Sequence, residues 1–442
     1  MNLFRKSARS AVVVLTALAA ATAGLSAAAP AQAANRVTPG NFTGYGFDQC
    51  VAPTQTAMDR WLTTSPFLAV GIYISGDSRA CRSQPNLTSN WVSTQLANGW
   101  RLLPITLGPQ ASCSTRFPRY GNDPVINWRP ENSYGSARGQ GRSEAAKAVR
   151  AAKALGISPG SSLWYDLEAF DIRSTNCRES ALSFLSAWTN KLHALGYVSG
   201  VYSSAASGIK ALDDANATRR GQYTMPDQVW IADWNGKADV YSTYVRANSW
   251  MPHKRVHQYR GGHNETHGGV TINIDSNFLD LGKGSVAPRA LPSCGVRIDF
   301  PDYRALTIGS TGGQVTAAQC LLTRRGIYQG QLDGRYDRTT DQAVRQFQQT
   351  RSLPVGGGMT LRTWTAMLSQ GRSPVLKRGS ATNAVRRVQR ALNAATSSTL
   401  SVTGVFDAKT TAAVLAYQQR RGLPRTGVVA GDTWTQLESG RL

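Results

Sequence analysis

Ser162-Leu163-Trp164-Tyr165-Asp166-Leu167-Glu168 is an apolar and aromatic segment that carries two acidic residues at its end. A short apolar run of this kind is typical of a buried β-strand. Alternate residues of a strand point to the same side, so Asp166 and Glu168 should project together, roughly 6–7 Å apart. The segment therefore predicts a strand that presents a pair of carboxyl groups.

The surrounding sequence predicts more strands of the same kind. With the quoted segment they fall at 44–48, 69–75, 101–107, 162–168, 197–203, 228–233, 254–259 and 270–275. Helical patterns lie between the earlier strands, at 54–63, 88–98, 141–155 and 177–195. Strands that alternate with helices indicate a parallel sheet, and about 240 residues is the usual size of an eight-stranded barrel. We therefore predict an α/β domain over 42–283, a (β/α)8 TIM-like barrel.

Further acidic residues stand at predicted strand ends: Asp48, Asp233 and Asp275. Barrel enzymes build their sites at the C-terminal ends of the strands, so these side chains should meet Asp166 and Glu168. A lone aspartate at a strand end more often caps a helix or a turn, which stays the alternative for each, Asp233 above all. Glycoside hydrolysis needs one protonated and one ionised carboxyl group. Glu168 is the predicted acid, and we expect Asp166 to stay ionised beside Asp48 and Asp275.

The same residues resemble a known family over nearly all of 42–283. It is the glycoside-hydrolase-like domain catalogued as a domain of unknown function in actinobacterial exported proteins. The motifs that carry the resemblance are Gly46-Phe47-Asp48-Gln49-Cys50, Gly71-Ile72-Tyr73-Ile74, Tyr165-Asp166-Leu167-Glu168, Gly200-Val201-Tyr202-Ser203, Trp230-Ile231-Ala232-Asp233 and Ile274-Asp275.

A more distant resemblance is to the family 25 lysozymes, which cleave the sugar backbone of peptidoglycan. It rests on Asp-x-Glu in the fourth strand, Trp-Ile-Ala in the sixth, Gln258-Tyr259 in the seventh and Asp275 in the eighth. This resemblance implies that Glu168 is the proton donor and that Asp166 stabilises the transition state or the substrate's acetamido group. Asp48 and Asp275 would then be supporting carboxylates.

The sixth strand departs from the lysozyme pattern, because Asp233-Trp234 stands where those enzymes favour a sugar-lining aromatic residue. This departure leaves the substrate open. Rings stack on pyranose faces and amides bond hydroxyl groups, although each such residue could equally serve packing. The predicted substrate-binding residues are Tyr73, Asp233, Trp234, Gln258 and Tyr259.

The C-terminal third contains an internal repeat. Residues 309–368 realign on 379–438 with a constant offset of 70 and no gap. Each unit has the pattern of three short helices, with Thr410 as a predicted helix cap in the second unit. A unit of about 60 residues has a small core, so we predict that Trp364 and Trp434 are core residues first.

The repeats resemble the peptidoglycan-binding-like three-helix domain family. The matching features are V-x-x-x-Q, the turn before T, A-V-x-x-(F/Y)-Q and the closing T-W; Asp337 and Asp407 replace the family's usual glycine. The resemblance implies adhesion to wall peptidoglycan and identifies no ligand residues. We predict two small all-α domains, at 301–371 and 376–440, after a linker at 284–300.

The N-terminus has the three parts of an export signal: a basic start, an apolar run from Ala11 to Leu25, and the small-residue site Ala31-Gln32-Ala33. We predict a signal peptide at 1–33 and a secreted, wall-associated protein. In an oxidising compartment six cysteines favour disulfides. The sequence contains no CxxC pair, which would have indicated a zinc site. We predict the pair Cys294–Cys320. For the four cysteines of the barrel domain we favour Cys50–Cys81 and Cys113–Cys177, and their other pairings stay open.

The formal net charge is +23, of which residues 301–442 contribute +12 from 19 Lys and Arg against 7 Asp and Glu. Such a field favours polyanions, and an exported protein meets anionic wall polymers before nucleic acid. His263, Glu265 and His267 do not form the metalloprotease order H-E-x-x-H. We therefore expect no metal, no cofactor, no nucleic acid, no membrane association after signal cleavage, and a monomer. The leading hypothesis is a peptidoglycan glycosidase; the alternatives are a non-catalytic wall-binding protein and a hydrolase of another extracellular glycan.

Overall fold

The computed structural model describes residues 35–115, 118–119, 122–290 and 294–442. The predicted signal peptide at 1–33 lies outside these residues. Within them, no helix combines the length and the apolar character needed to cross a membrane.

Eight strands close into a barrel in chain order, which confirms the predicted barrel. The strands are β1 (Phe42–Asp48), β2 (Ala69–Ser75), β3 (Arg101–Thr106), β4 (Ser162–Asp166), β5 (Val198–Ser204), β6 (Gln228–Ala232), β7 (Lys254–His267) and β8 (Val270–Leu281). Five helices accompany the strands: α1 (Gln55–Thr64), α2 (Ser89–Asn98), α3 (Glu131–Ala154), α4 (Thr175–Ala194) and α5 (Lys210–Thr218), the last preceded by a π-helical turn at Ala205–Ile209.

The direction of β8 differs from the expected all-parallel sheet. Strands β1 to β7 pair in parallel, whereas β8 is antiparallel to both β7 and β1. Only Gly268 and Gly269 separate β7 from β8, and both have positive φ, of 58° and 78°. Two residues in this conformation make a tight hairpin, while a parallel connection needs a dozen residues or more. The upper parts of β7 and β8 therefore continue as a hairpin beyond the barrel.

The base of the barrel is filled by two tryptophans. Trp164 of β4 and Trp230 of β6 are buried and meet edge to face, with ring centroids 5.6 Å apart. Gly200 of β5 gives the Trp164 ring its space, because a Cβ atom there would lie 2.3 Å from the ring. Large rings thus occupy the lower interior, and the polar side chains gather above them.

Each C-terminal repeat forms three helices, as predicted. They are α6 (Gly313–Thr323), α7 (Arg338–Thr350) and α8 (Leu361–Ser369) in the first repeat, and α9 (Asn383–Thr396), α10 (Ala408–Arg421) and α11 (Gly431–Glu438) in the second. Trp364 and Trp434 are buried, which confirms their core role. Their indole nitrogens donate to Arg304 O and Pro374 O, two carbonyls that are related by the same offset of 70.

The predicted cap of α10 is wrong by three residues. Asp407 is the N-cap, and its side chain accepts a hydrogen bond from Thr410 N at 2.8 Å. Asp337 caps α7 through Thr340 N in the same way. The aspartates that depart from the family's glycine therefore accept from backbone N–H groups that a glycine side chain could not satisfy.

All six cysteines form the three predicted disulfides, Cys50–Cys81, Cys113–Cys177 and Cys294–Cys320. The first crosses the loops after β1 and β2, beside the mouth of the barrel. The second ties the loop after β3 to α4.

The second repeat packs directly against the barrel through Lys377. This side chain is 1% exposed, and its Nζ donates to Ser65 O at 2.7 Å, Phe67 O at 2.9 Å and Trp61 O at 3.3 Å. Burial lowers the pKa of Lys377 well below its ordinary value. The three carbonyls belong to the end of α1 and the loop before β2, so the ammonium group joins the repeat to the barrel's own backbone.

Candidate active site at the mouth of the barrel

A cavity of about 250 Å³ opens at the C-terminal ends of the parallel strands. Three predicted catalytic residues line it: Asp48, Glu168 and Asp275. Asp166 is 2% exposed and lies beneath this lining. The acidic residues quoted from different strands therefore come together at one end of the barrel.

Asp48 and Asp275 face each other in neighbouring antiparallel strands, where they occupy directly opposite positions of β1 and β8. Asp275 was expected at the C-terminal end of its strand. It lies inside β8 instead, because that strand runs in the opposite direction and begins above the rim. The register still places it at the mouth.

A chain of hydrogen bonds fixes the orientation of Asp48. Trp230 Nε1 donates to Asn277 Oδ1 at 2.7 Å, and Asn277 Nδ2 donates to Asp48 Oδ1 at 2.6 Å. Gln258 Nε2 also donates to both carboxyl oxygens of Asp48, at 3.2 and 3.3 Å. The indole N–H can only donate, so the Asn277 amide must turn its oxygen to Trp230 and its nitrogen to Asp48.

The environment of the Asp48–Asp275 pair favours binding of a proton. Burial, followed by the charge of Asp275, raises the pKa of Asp48 from 3.8 to about 8, and the amide donors from Asn277 and Gln258 oppose this shift. The pKa of Asp275 is also raised, again chiefly by burial. Two carboxyl groups this close in a partly dehydrated site cannot both be ionised at low cost. The shift is stronger for Asp48, which is the more buried of the two.

Asp166 closes β4 and receives a hydrogen bond from the Tyr73 hydroxyl to its Oδ2 at 3.1 Å. Its Oδ1 is buried and has no hydrogen-bond partner among the described residues. Burial, and next the charge of Glu168, raises the pKa of Asp166 well above its ordinary value. Desolvation outweighs the Tyr73 hydrogen bond, so this environment opposes the expected ionisation of Asp166, which stays a prediction.

Glu168 follows the end of β4 and is half-buried at the cavity wall. Gln110 fixes this part of the backbone: its Oε1 accepts from Glu168 N at 2.8 Å, and its Nε2 donates to Asp166 O at 2.8 Å. Of the carboxyl groups of Asp166 and Glu168, that of Glu168 is therefore the one that a ligand in the cavity would contact.

The five predicted substrate-binding residues divide into two groups. Tyr73 lines the cavity, whereas Gln258, Trp234, Tyr259 and Asp233 do not. Gln258 is nevertheless central, because its Oε1 accepts from Trp234 Nε1 at 2.9 Å while its amide nitrogen bonds Asp48. Trp234 is 65% exposed beside the mouth, so its ring has a free face for a sugar.

The carboxylate of Asp233 forms hydrogen bonds within its own loop. It accepts from Ser242 Oγ at 2.8 Å and from Asn235 Nδ2 at 3.3 Å, both within the loop that follows β6. These contacts agree with the alternative that a strand-end aspartate organises the following turn, and the substrate-binding role of Asp233 stays a prediction. Tyr259 stays a predicted sugar-lining residue.

Sequence reasoning missed several residues of the site. Asn277 stands two residues after Asp275 in the same strand, and period-2 alternation could have placed both on one face. Gln110, Arg79 and Arg119 belong to irregular loops, where no periodicity points to them. Arg79 and Arg119 line the cavity and bring positive charge to an otherwise acidic mouth.

The His263–Glu265–His267 cluster lies on the hairpin above the barrel. His263 Nε2 and His267 Nε2 each contact one oxygen of Glu265 at 2.9 Å, so the histidines share the carboxylate with one another. Within the part of the chain that the structure describes, no group of three or more His, Cys, Asp or Glu side chains is arranged to hold a metal ion.

Two family models match the chain. The model described as an Rv2525c-like, glycoside hydrolase-like domain matches residues 59–279, half of the chain. The putative peptidoglycan binding domain matches 311–367 and 381–437. No curated protein matches significantly.

Several solved structures share low similarity with the chain. An uncharacterised protein from B. stearothermophilus is 19% identical with a TM-score of 0.35, covering 53% of this chain and 95% of its own. The Tat-secreted protein Rv2525c from Mycobacterium tuberculosis is 14% identical with a TM-score of 0.35, covering 54% and 95%. The modular autolysin LytC from Streptococcus pneumoniae is 12% identical with a TM-score of 0.32, covering 53% and 46%.

Proposed function

Because the chain belongs to the family of the Rv2525c-like, glycoside hydrolase-like domain and carries two peptidoglycan-binding domains, we propose that it is an exported glycosidase that cleaves the peptidoglycan sugar backbone. The domain combination gives the protein a cell-wall-related role. The observation that carries the catalytic proposal is the meeting of two carboxyl pairs, Asp166 with Glu168 and Asp48 with Asp275, at the mouth of one barrel.

Glu168 is the proton donor in this proposal, because its side chain lines the cavity and can reach a glycosidic oxygen. Burial raises the pKa of the neighbouring Asp166, which favours a proton shared by the two carboxyl groups of Asp166 and Glu168. A cationic transition state in the cavity favours the arrangement with the proton on Glu168 and the negative charge on Asp166. Transfer of this proton from Glu168 to the leaving oxygen breaks the glycosidic bond and leaves both carboxylates ionised, with Asp166 beneath the positive charge of the sugar and Tyr73 donating to it. Water supplies the oxygen of the new reducing end and a proton that returns to Glu168.

Asp48 and Asp275 act as supporting groups. The Asp48 carboxyl is anchored by Asn277 and Gln258, so its position changes little when a ligand enters. A proton shared by Asp48 and Asp275 keeps the total negative charge of the mouth low. This limits the repulsion between these two carboxyl groups and those of Asp166 and Glu168. The pair can bond sugar hydroxyl groups through Asp275, which is its more exposed member.

One observation favours the second candidate, a wall protein whose barrel binds glycan without cutting it. The cavity of about 250 Å³ is slightly smaller than the usual range of ligand pockets, roughly 300–1,000 Å³. A site of this size accommodates a single sugar unit more readily than a polymer that crosses the mouth. Hydrolysis of a different extracellular glycan is the third possibility, because the carboxyl pair does not specify the polymer.

Incubating the protein with purified cell walls and, separately, with other glycans distinguishes the three. New reducing ends from walls with the wild type, but not with Glu168→Gln, support the proposed activity. Glu131→Gln is the matched control, since Glu131 is an exposed residue in the first turn of α3. Wall binding without release by any of the proteins supports the second candidate. Release only from another polymer supports the third.

A further inference from the structure

A second cavity, of about 550 Å³, lies between the two repeats. Its walls come from α6, α8 and α9 and from the segment that joins the repeats. Its lining includes six arginines and, among the described residues, no aspartate or glutamate. We name it the arginine cleft, after Arg324, Arg325, Arg351, Arg372, Arg387 and Arg390.

We propose that the arginine cleft binds a linear polyanion whose oxyanions, phosphodiester or carboxylate, are spaced along a polyol or sugar backbone. The proposal concerns adhesion alone and does not depend on catalysis by the barrel. Guanidinium groups suit this ligand because their planar N–H pairs match two oxygens of a phosphate or a carboxylate.

The guanidinium groups are held in place by the repeats themselves. Arg325 Nη1 donates to Leu321 O and Nη2 to Met367 O, both at 2.7 Å, which joins α6 to α8. Arg387 Nη2 donates to Arg372 O at 2.6 Å, and its guanidinium carbon lies 4.6 Å from the centroid of the Trp434 ring. An arginine that is already ordered loses less conformational entropy when it binds an anion.

The arginine cleft brings groups of like charge together. Burial, followed by the charges of Arg351 and Arg324, lowers the pKa of Arg325 to about 10. Arg387 Nε is buried and has no hydrogen-bond partner among the described residues. Asp299 compensates one charge at the edge, where it accepts from Arg390 Nε at 2.5 Å. An oxyanion in the cleft would satisfy the Arg387 donor and relieve the repulsion.

Two features point to a polymer and away from a small anion. The segment 351–400 supplies four of the six arginines and contains eight Lys and Arg residues but no Asp or Glu, so the positive field extends beyond the cleft. The lining also includes apolar residues, which suit the carbon backbone of a polyol or sugar chain. They are Ile298, Leu321, Met367, Leu368 and Pro374, of which the first four are largely buried.

The test uses the full chain with Glu168→Gln, so that any cleavage by the barrel cannot affect binding. Binding of poly(glycerol phosphate), of a polyuronate and of DNA is measured at several salt concentrations. The variant R351Q/R372Q removes two exposed arginines of the cleft, and R338Q/R425Q removes two exposed arginines elsewhere on the repeats. Loss of charged hydrogen bonds should weaken binding of the preferred polyanion by roughly tenfold or more in the first variant only.

The polyanion that binds more tightly identifies the oxyanion, and either result supports the proposal. Equal weakening by both double variants, or binding of DNA as tight as that of the wall-type polymers, would show a general charge effect and overturn it. Protection of Arg351 and Arg372 from an arginine-modifying dicarbonyl by the bound polymer is a second readout on the parent chain. Unchanged modification in the presence of saturating polymer would also overturn the proposal.

Discussion

The hydroxyl group of Tyr73 donates to Oδ2 of Asp166 across 3.1 Å, and it is the hydrogen bond from a side chain that opposes the effect of burial on this carboxyl. Tyr73 stands on β2 and Asp166 on β4, so the contact crosses the interior of the barrel. It joins a cavity-lining ring to the acid that lies beneath the cavity.

Tyr73→Phe should therefore raise the pKa of Asp166 further, since the ionised form loses its donor. If Asp166 acts as the ionised partner, the acidic limb of the pH–rate profile for release of reducing ends moves to higher pH. Tyr197→Phe is a suitable control, because it removes a hydroxyl group that bonds Ile157 O outside the mouth. An unshifted acidic limb in the Tyr73 variant would contradict the proposed role of Asp166.

Asp48 should make the protein less stable as the pH rises. Its pKa is raised from 3.8 to about 8, so its contribution to stability is fully present below pH 3.8 and is lost as the pH rises through about 8. Asp48→Asn mimics the neutral acid, because the amide oxygen accepts from Asn277 and the amide nitrogen donates to Asp275. The variant should gain unfolding free energy relative to the wild type between pH 4 and pH 8.

Denaturant unfolding across this pH range measures that difference. Asp59→Asn, on the exposed face of α1, gives the background for losing one carboxylate. If the unfolding free energies of Asp48→Asn and of the wild type changed with pH in parallel, the pKa of Asp48 would not be raised in the folded protein, which would contradict this prediction.

Lys377 should fix the second repeat to the barrel. Lys377→Met fills similar space but leaves Trp61 O, Ser65 O and Phe67 O without their donor, at a cost of about 1–3 kcal/mol for a buried polar group. We expect a lower unfolding midpoint and faster proteolysis between the barrel and the repeats. Thr307→Met is the matched control, because Thr307 is the exposed residue at the equivalent position of the first repeat. Equal behaviour of the two variants would show that the Lys377 contact contributes no stability.

The sequence was sufficient to predict the barrel, the three disulfides and both three-helix repeats. Apolar segments that alternate with helical patterns, and a repeat that realigns without a gap at an offset of 70, can both be recognised from the order of the residues alone. The antiparallel direction of β8 could also have been predicted, because Gly268-Gly269 between two strand patterns is a recognised hairpin signal.

Protonation and contacts between domains could not be predicted in this way. Whether Asp166 is charged depends on how many atoms exclude water from it, and those atoms come from several strands. Lys377 has no counterpart in the first repeat, where Thr307 stands, so the repeat pattern gave no sign of a barrel contact. The arginine cleft likewise exists only once α6, α8 and α9 are packed together.

Incorporation of oxygen from ¹⁸O-water into fragments of purified cell wall is the decisive test of glycosidic hydrolysis by this protein. Hydrolysis of a glycosidic bond by Asp166 and Glu168 places one labelled oxygen at each new reducing end. We expect labelled wall fragments with the wild type and with Glu131→Gln, and none with Glu168→Gln. Labelled fragments in equal amount from Glu168→Gln, or none from the wild type under conditions where it binds the wall, would contradict this expectation.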